Sequence, residues 1–159
     1  MDIEIEAILP HRPPFLWIDR VVEIDPGRRC VASKHIAPDM PLLAGHFPGD
    51  PILPGVLLIE CAAQTAGVML GAGRRERGGE KRLAAVNQFK FLEPVRPGAT
   101  VEIETRSLVE QEGMALVSAS IPGQGRQVAA GQLTVVSRCA RRRAPPARPV
   151  LVFAACSGG

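Results

Sequence analysis

The sequence predicts an α+β domain in which a curved antiparallel β-sheet wraps around a long central α-helix. Three observations predict it. From Gly55 the chain runs through Leu, Ile, Ala, Cys and Met with no Pro before residue 94, broken by Glu60 and Gln64, which is helical in character. Two segments rich in branched and aromatic residues precede this run, and four follow it between short turns. A helix apolar on nearly every side must be covered all round, and one curling sheet does so when a second subunit closes the open side. At 159 residues, 46% apolar and 22% charged, the chain has the length and composition of a single globular domain.

The elements follow in order. Asp2 to Ile8 reads as a short helix, with a strand as the alternative, and Leu9-Pro10-His11-Arg12-Pro13-Pro14 as a turn. Phe15 to Ile24 and Cys30 to Ile36 read as a hairpin about Pro26-Gly27. Gly45 to Pro54 is too rich in Gly and Pro for regular structure and reads as a shaped loop. Pro54 suits the first residue of the helix, where its missing N–H costs nothing. Gly71 to Lys81 is a polar linker that ends the helix. Leu83 to Leu92 is a strand stopped by Glu93-Pro94. In Thr100 to Val109, Val101, Ile103 and Thr105 alternate inward against Glu102, Glu104 and Arg106, the clearest strand pattern in the chain. Met114 to Ile121 and Gln127 to Val136 complete the sheet. The domain is placed at 1–137. Residues 138–159, basic and Pro-rich, are read as a tail outside the fold, disordered or loosely docked.

Composition narrows the function. A net charge of +3 permits an acidic partner without demanding nucleic acid, and Arg141-Arg142-Arg143 reads as a solvated terminus. The start, MDIEIEAILPHR, is acidic and has no basic region before an apolar core, so no signal peptide is read. Glu60 and Gln64 at mid-span argue for a buried helix and against a membrane span. Cys30, Cys61, Cys139 and Cys156 form no CxxC and no zinc-like spacing with His. They point to a reducing, cytoplasmic setting, with Cys61 in the core and no metal site.

Chemistry concentrates in Gly45 to Gln64, GHFPGDPILPGVLLIECAAQ. Glu60 and Gln64 stand at i and i+4 on one helix face among apolar neighbours. A carboxyl in that setting must be paired, hydrogen-bonded or protonated; the alternative places it at the helix surface against solvent or an arginine. His46, in a loop able to fold back over the helix start, is either a base or a structural histidine. The free N–H groups of Gly55 and Val56 form a donor site for a partially negative oxygen, and Gly55 presents no side chain against close approach. A carbonyl held there would be polarised and its α-hydrogen acidified.

From Leu9 to about Val136 the chain resembles the 3-hydroxyacyl-acyl-carrier-protein dehydratases, which have a hotdog fold. The resemblance is carried by LPHRPPFLWIDRVVE, GHFPGDPILPGVLLIECAAQ and FKFLEPVRPG, with His46 and Glu60 fourteen residues apart. It implies His46 as the base at the α-carbon, Glu60 as the acid for the departing β-hydroxyl, and Gln64 as the residue orienting Glu60. The Gly55 amide would bind the thioester carbonyl, with Val56 beside it. Phe47, Pro54, Phe89 and Phe91 would line the acyl tunnel. No cofactor is implied, because the phosphopantetheine arm belongs to the substrate. The implied partners are an acyl carrier protein and a second copy of the chain. That copy would make a homodimer with shared sites, which can assemble as a trimer of dimers. Arg74, Arg75, Arg77, Lys81 and Arg82 are candidate contacts for the acidic carrier, with a solvated linker as the alternative. Leu42-Leu43-Ala44, Ala99 and the lack of any Tyr depart from the family pattern, leaving fatty acid, polyketide and aryl-polyene substrates open. Two rival functions are a hotdog acyl-thioesterase and a non-catalytic subunit of a heteromeric dehydratase.

Overall fold

A computed structural model describes residues 3–72, 81–123 and 126–137. The elements are α1 (Ile5–Ile8), β1 (Arg20–Asp25), β2 (Arg29–His35), a 3₁₀ turn (Pro41–Gly45), α2 (Gly55–Gly71), β3 (Lys81–Phe91), β4 (Thr100–Gln111), β5 (Met114–Pro122) and β6 (Gln127–Ser137). The tail at 138–159 and most of the predicted linker lie outside the described residues.

The six strands form one antiparallel sheet in the order β1-β2-β4-β5-β6-β3. The long excursion through α2 separates β2 from β3, so β3 reaches the far edge and pairs with β6 alone. The β4 alternation appears as expected: Val101, Ile103 and Thr105 are buried, while Glu102 and Arg106 are exposed. Ile103, Val117, Ile121 and Leu133 from three strands meet Leu58, Cys61, Ala62, Val68 and Met69 of α2 in one core. Each large aliphatic side chain so buried contributes about 1.5–3 kcal/mol.

Two local expectations are corrected. Phe15 to Asp19 is not strand. The Trp17 N–H is taken by the Gln64 side chain at 2.8 Å, so the ladder with β2 begins only at Arg20. Pro54 is the N-cap and not the first helical residue; with ψ 127° it is extended, and its carbonyl accepts the Leu57 N–H at 2.9 Å to close the first turn. Within the single chain the helix is open at its start. Its buried positions run from Leu58 to Leu70, whereas Val56 in the first turn is 68% exposed. No helix among the described residues is long and apolar enough to cross a membrane.

Cys30 and Cys61 are fully buried, and burial pushes each thiol up to about 12. The thiolate is the reactive form. Both are therefore expected to resist alkylation at neutral pH in the native protein and to react on denaturation, which mass spectrometry of labelled peptides reads directly. On the outer face, Arg29 bridges Glu23 and Glu104, and Arg106 joins Glu104 at 2.6 Å. The Arg29 hydrogen bond holds the Glu104 carboxyl below its ordinary range. A depressed carboxyl stabilises the fold above the unfolded-state range and loses that contribution as pH falls through the folded value. The melting temperatures of wild type and Glu104→Gln should thus differ at pH 7 and converge below about pH 4.

Candidate active site

His46 closes the 3₁₀ turn, where its N–H donates to the Leu43 carbonyl at 3.1 Å. The chain then makes a cis His46–Phe47 bond and turns back, and the Ile52 N–H donates to the His46 carbonyl at 2.9 Å. The loop is tied outward by the Leu53 N–H to the Val95 carbonyl at 2.8 Å and by Arg96 to Asp50 at 2.5 Å. Within this frame His46 Nδ1 lies 3.0 Å from the Ile52 carbonyl oxygen. A carbonyl only accepts, so Nδ1 carries the hydrogen. In the neutral ring Nε2 then keeps its lone pair. The loop Gly and Pro residues make this geometry possible; Gly49 adopts φ +85°.

Glu60 is held from its own helix and from the segment before β1. Gln64 is 1% exposed and uses its whole amide. Its Nε2 donates to Glu60 Oε1 and to the Phe15 carbonyl, and its Oε1 accepts the Trp17 N–H, each at 2.8 Å. Cys61 Sγ reaches the Trp17 carbonyl at 3.2 Å, pinning the same segment. Glu60 thus has one oxygen anchored, while Oε2 has no hydrogen-bond partner among the described residues. The carboxyl faces a cavity of about 230 Å³ whose apolar wall includes Leu9, Ala63, Gly67 and Val135.

The predicted residues separate into groups. Glu60 and Gln64 share this cavity, and Lys81 and Arg82, read from sequence as carrier contacts, lie in its wall. Arg74, Arg75 and Arg77 lie outside the described residues. His46 does not line this cavity; its ring stacks on Phe47 at 4.3 Å, and Phe47 is itself 56% exposed. At the helix start, the N–H groups of Gly55 and Val56 lack partners among the described residues, as the first turn requires. Phe91 packs on Gly55 so closely that a Cβ there would stand 2.9 Å from the ring. Phe89 tilts against Phe91 at 5.5 Å and fills the space over Gly131. Pro54 caps the helix between these groups.

Sequence reasoning passed over His11. Its Nε2 stands 3.9 Å from Glu60 Oε1, and the ring lines the same cavity. The available signal is the segment LPHRPPFLWIDRVVE, which carries the family resemblance and reads locally as a turn, with no role for His11.

A family model described as the FabA-like domain matches residues 9–132. The chain belongs to the FabA-like domain family. Among curated relatives, the 3-hydroxyacyl-[acyl-carrier-protein] dehydratase FabZ of Geotalea uraniireducens is 44% identical over 117 residues, covering 72% of this chain and 81% of that protein. The FabZ of Ruminiclostridium cellulolyticum is 40% identical, covering 76% and 87%. Among solved structures, a chain of the dehydratase heterocomplex ApeI:P from Xenorhabdus doucetiae superposes with a TM-score of 0.73 at 21% identity, over 87% of this chain and 93% of that one. That likeness concerns the fold, the hotdog arrangement of helix and sheet. The FabA-like match spans all the elements from which the His46 loop and the Glu60 helix are built.

Proposed function

We infer that the chain is a 3-hydroxyacyl-acyl-carrier-protein dehydratase of fatty acid biosynthesis, converting a (3R)-3-hydroxyacyl thioester to the trans-2-enoyl thioester. The observation that carries this reading is the 44% identity to a dehydratase of that name over four-fifths of its length. The geometry supports a division of roles. His46, with Nδ1 committed to the Ile52 carbonyl, takes the α-proton on Nε2. The thioester oxygen gains negative character as that proton leaves, and the Gly55 and Val56 N–H groups at the positive end of α2 receive it. Glu60, steadied through Oε1 by Gln64, gives its proton to the β-hydroxyl from Oε2, and water departs. Side chains and backbone supply every group in this scheme, and the phosphopantetheine arm comes with the substrate.

Two finer proposals accompany it. The complete site joins His46 of one subunit to Glu60 of another, in a cytoplasmic homodimer that can assemble further into a hexamer. An edge strand supports this: β3 leaves Leu83, Val86 and Phe91 exposed, with Leu92 just beyond it. An eleven-residue edge strand that exposes these apolar side chains is a template for pairing with a second copy. Lys81 and Arg82, at the start of β3 in the wall of the cavity, suit an acidic carrier protein delivering the thioester. The test is incubation with a 3-hydroxyacyl carrier-protein thioester and mass spectrometry of the product. Loss of one water with the thioester intact is expected, whereas release of the free acid would make the chain a thioesterase and overturn the assignment.

A further inference from the structure

Building on the dehydratase reading, we propose that His11 is a positioning residue that acts through Glu60, keeping in the cavity the proton that Glu60 passes to the departing hydroxyl. His11 Nε2 faces Glu60 Oε1 at 3.9 Å, with the two side chains 27% and 20% exposed. That separation is too long for a hydrogen bond and is spanned by one water or a small rotation. The other ring nitrogen, Nδ1, is buried with no partner in the described structure. A histidine kept for architecture has its ring nitrogens satisfied; here neither one is hydrogen-bonded among the described residues, and one faces the Glu60 carboxyl.

The backbone beneath it is held with care. Arg12 donates to the carbonyls of Glu6, Leu9 and His11 at 3.0, 3.0 and 2.7 Å and pairs with the Glu6 carboxylate at 3.1 Å. This clamp presents the imidazole to Glu60. The contrast with His46 is chemical: its Nδ1 is tied to a carbonyl, whereas no hydrogen bond selects the tautomer of His11.

The proton balance closes. Glu60 donates one proton to the β-hydroxyl, the C–O bond breaks and water leaves, while His46 holds the proton taken from the α-carbon. Glu60 is then a carboxylate beside His11, which passes it a proton from Nε2 and is itself recharged from solvent. His46 releases its proton to solvent. Among the described residues, the other charged groups around Glu60 and His11 are Lys81 and Arg82 on β3 and the Arg12–Glu6 pair. These are unchanged in every protein compared below, so an effect confined to His11 variants belongs to His11.

The test uses the full chain and two readouts. In steady-state dehydration of a 3-hydroxyacyl carrier-protein thioester, His11→Asn should lower kcat at least tenfold with KM changed less than about threefold. The shape of its pH profile should change on the alkaline limb, because the carboxyl has lost the neighbour that returns its proton. A profile of unchanged shape, scaled uniformly, would mean a structural role only and overturn the proposal. The second readout is independent of turnover and of whether the His11 variant folds. Ring NMR of wild type and Glu60→Gln should show His11 titration curves that differ between the two proteins; superimposable curves overturn the coupling. If wild type dehydrates nothing, the dehydratase reading fails and the NMR comparison still decides whether His11 and Glu60 are coupled.

Discussion

His46→Ala and Glu60→Gln should each reduce dehydration by about 10²–10⁴-fold, the range lost when a positioned acid or base is removed. Neither change should unfold the protein, since His46 sits in an exposed loop and Gln is nearly isosteric with Glu. The more discriminating experiment mixes the two inactive proteins after joint unfolding and refolding. If each site takes His46 from one subunit and Glu60 from the other, a mixed dimer carries one doubly impaired site and one wholly native site. Random pairing makes half of the dimers mixed, so about one quarter of wild-type activity should return. A site contained within one chain returns none. Activity in either single variant close to wild type would remove that residue from the mechanism.

Gln64→Leu should be the most damaging of these changes to stability, and it should lower turnover as well. Leu fills a similar volume, yet it leaves the Trp17 N–H and the Phe15 carbonyl without the bonds that Gln64 makes to them. Each buried group so orphaned costs about 1–3 kcal/mol, and a chain of this size loses about 2–4 °C of melting temperature per kcal/mol. A fall of about 4–24 °C by circular dichroism is therefore expected. Activity should fall further than stability explains, because Glu60 Oε1 loses the donor that orients it. Gln64→Glu keeps an acceptor for Trp17 but removes both amide donors, and it sets a second carboxyl against Glu60. It should match the loss of activity. A melting point within 2 °C of wild type for Gln64→Leu would contradict the role assigned to this amide.

The positions of these residues in the chain explain what could be read early. Local chemistry was enough for β4, where period-two alternation from Val101 to Arg106 matches a sheet with one face on the core. It was enough for the hairpin at Pro26-Gly27, where Gly27 adopts φ +76°. It was enough also for the helix from Gly55, and for Glu60 and Gln64 sharing a face, because a spacing of four residues fixes neighbours on any α-helix. The motif from Gly45 to Gln64 carried the family and the two groups of the proposed acid–base pair.

Contacts between distant segments followed a different logic. Nothing local says that Trp17 will give its N–H to Gln64 and not to a neighbouring strand, so the start of β1 was misplaced by five residues. Nothing local brings Phe91 onto Gly55, or sets Lys81 and Arg82 into the wall beside Glu60. His11 is the clearest instance: in sequence it is one residue of a Pro-rich turn, forty-nine positions before Glu60. It meets the carboxyl only because Arg12 clamps that turn against α1 and Gln64 ties the following segment to the helix. The sequence by itself therefore determined the elements, the family and the helix face that bears Glu60. Those depend on periodicity and on backbone restrictions acting over a few residues. Only the tertiary structure decided which polar groups surround that carboxyl, because their pairing depends on where burial leaves each donor and acceptor without water.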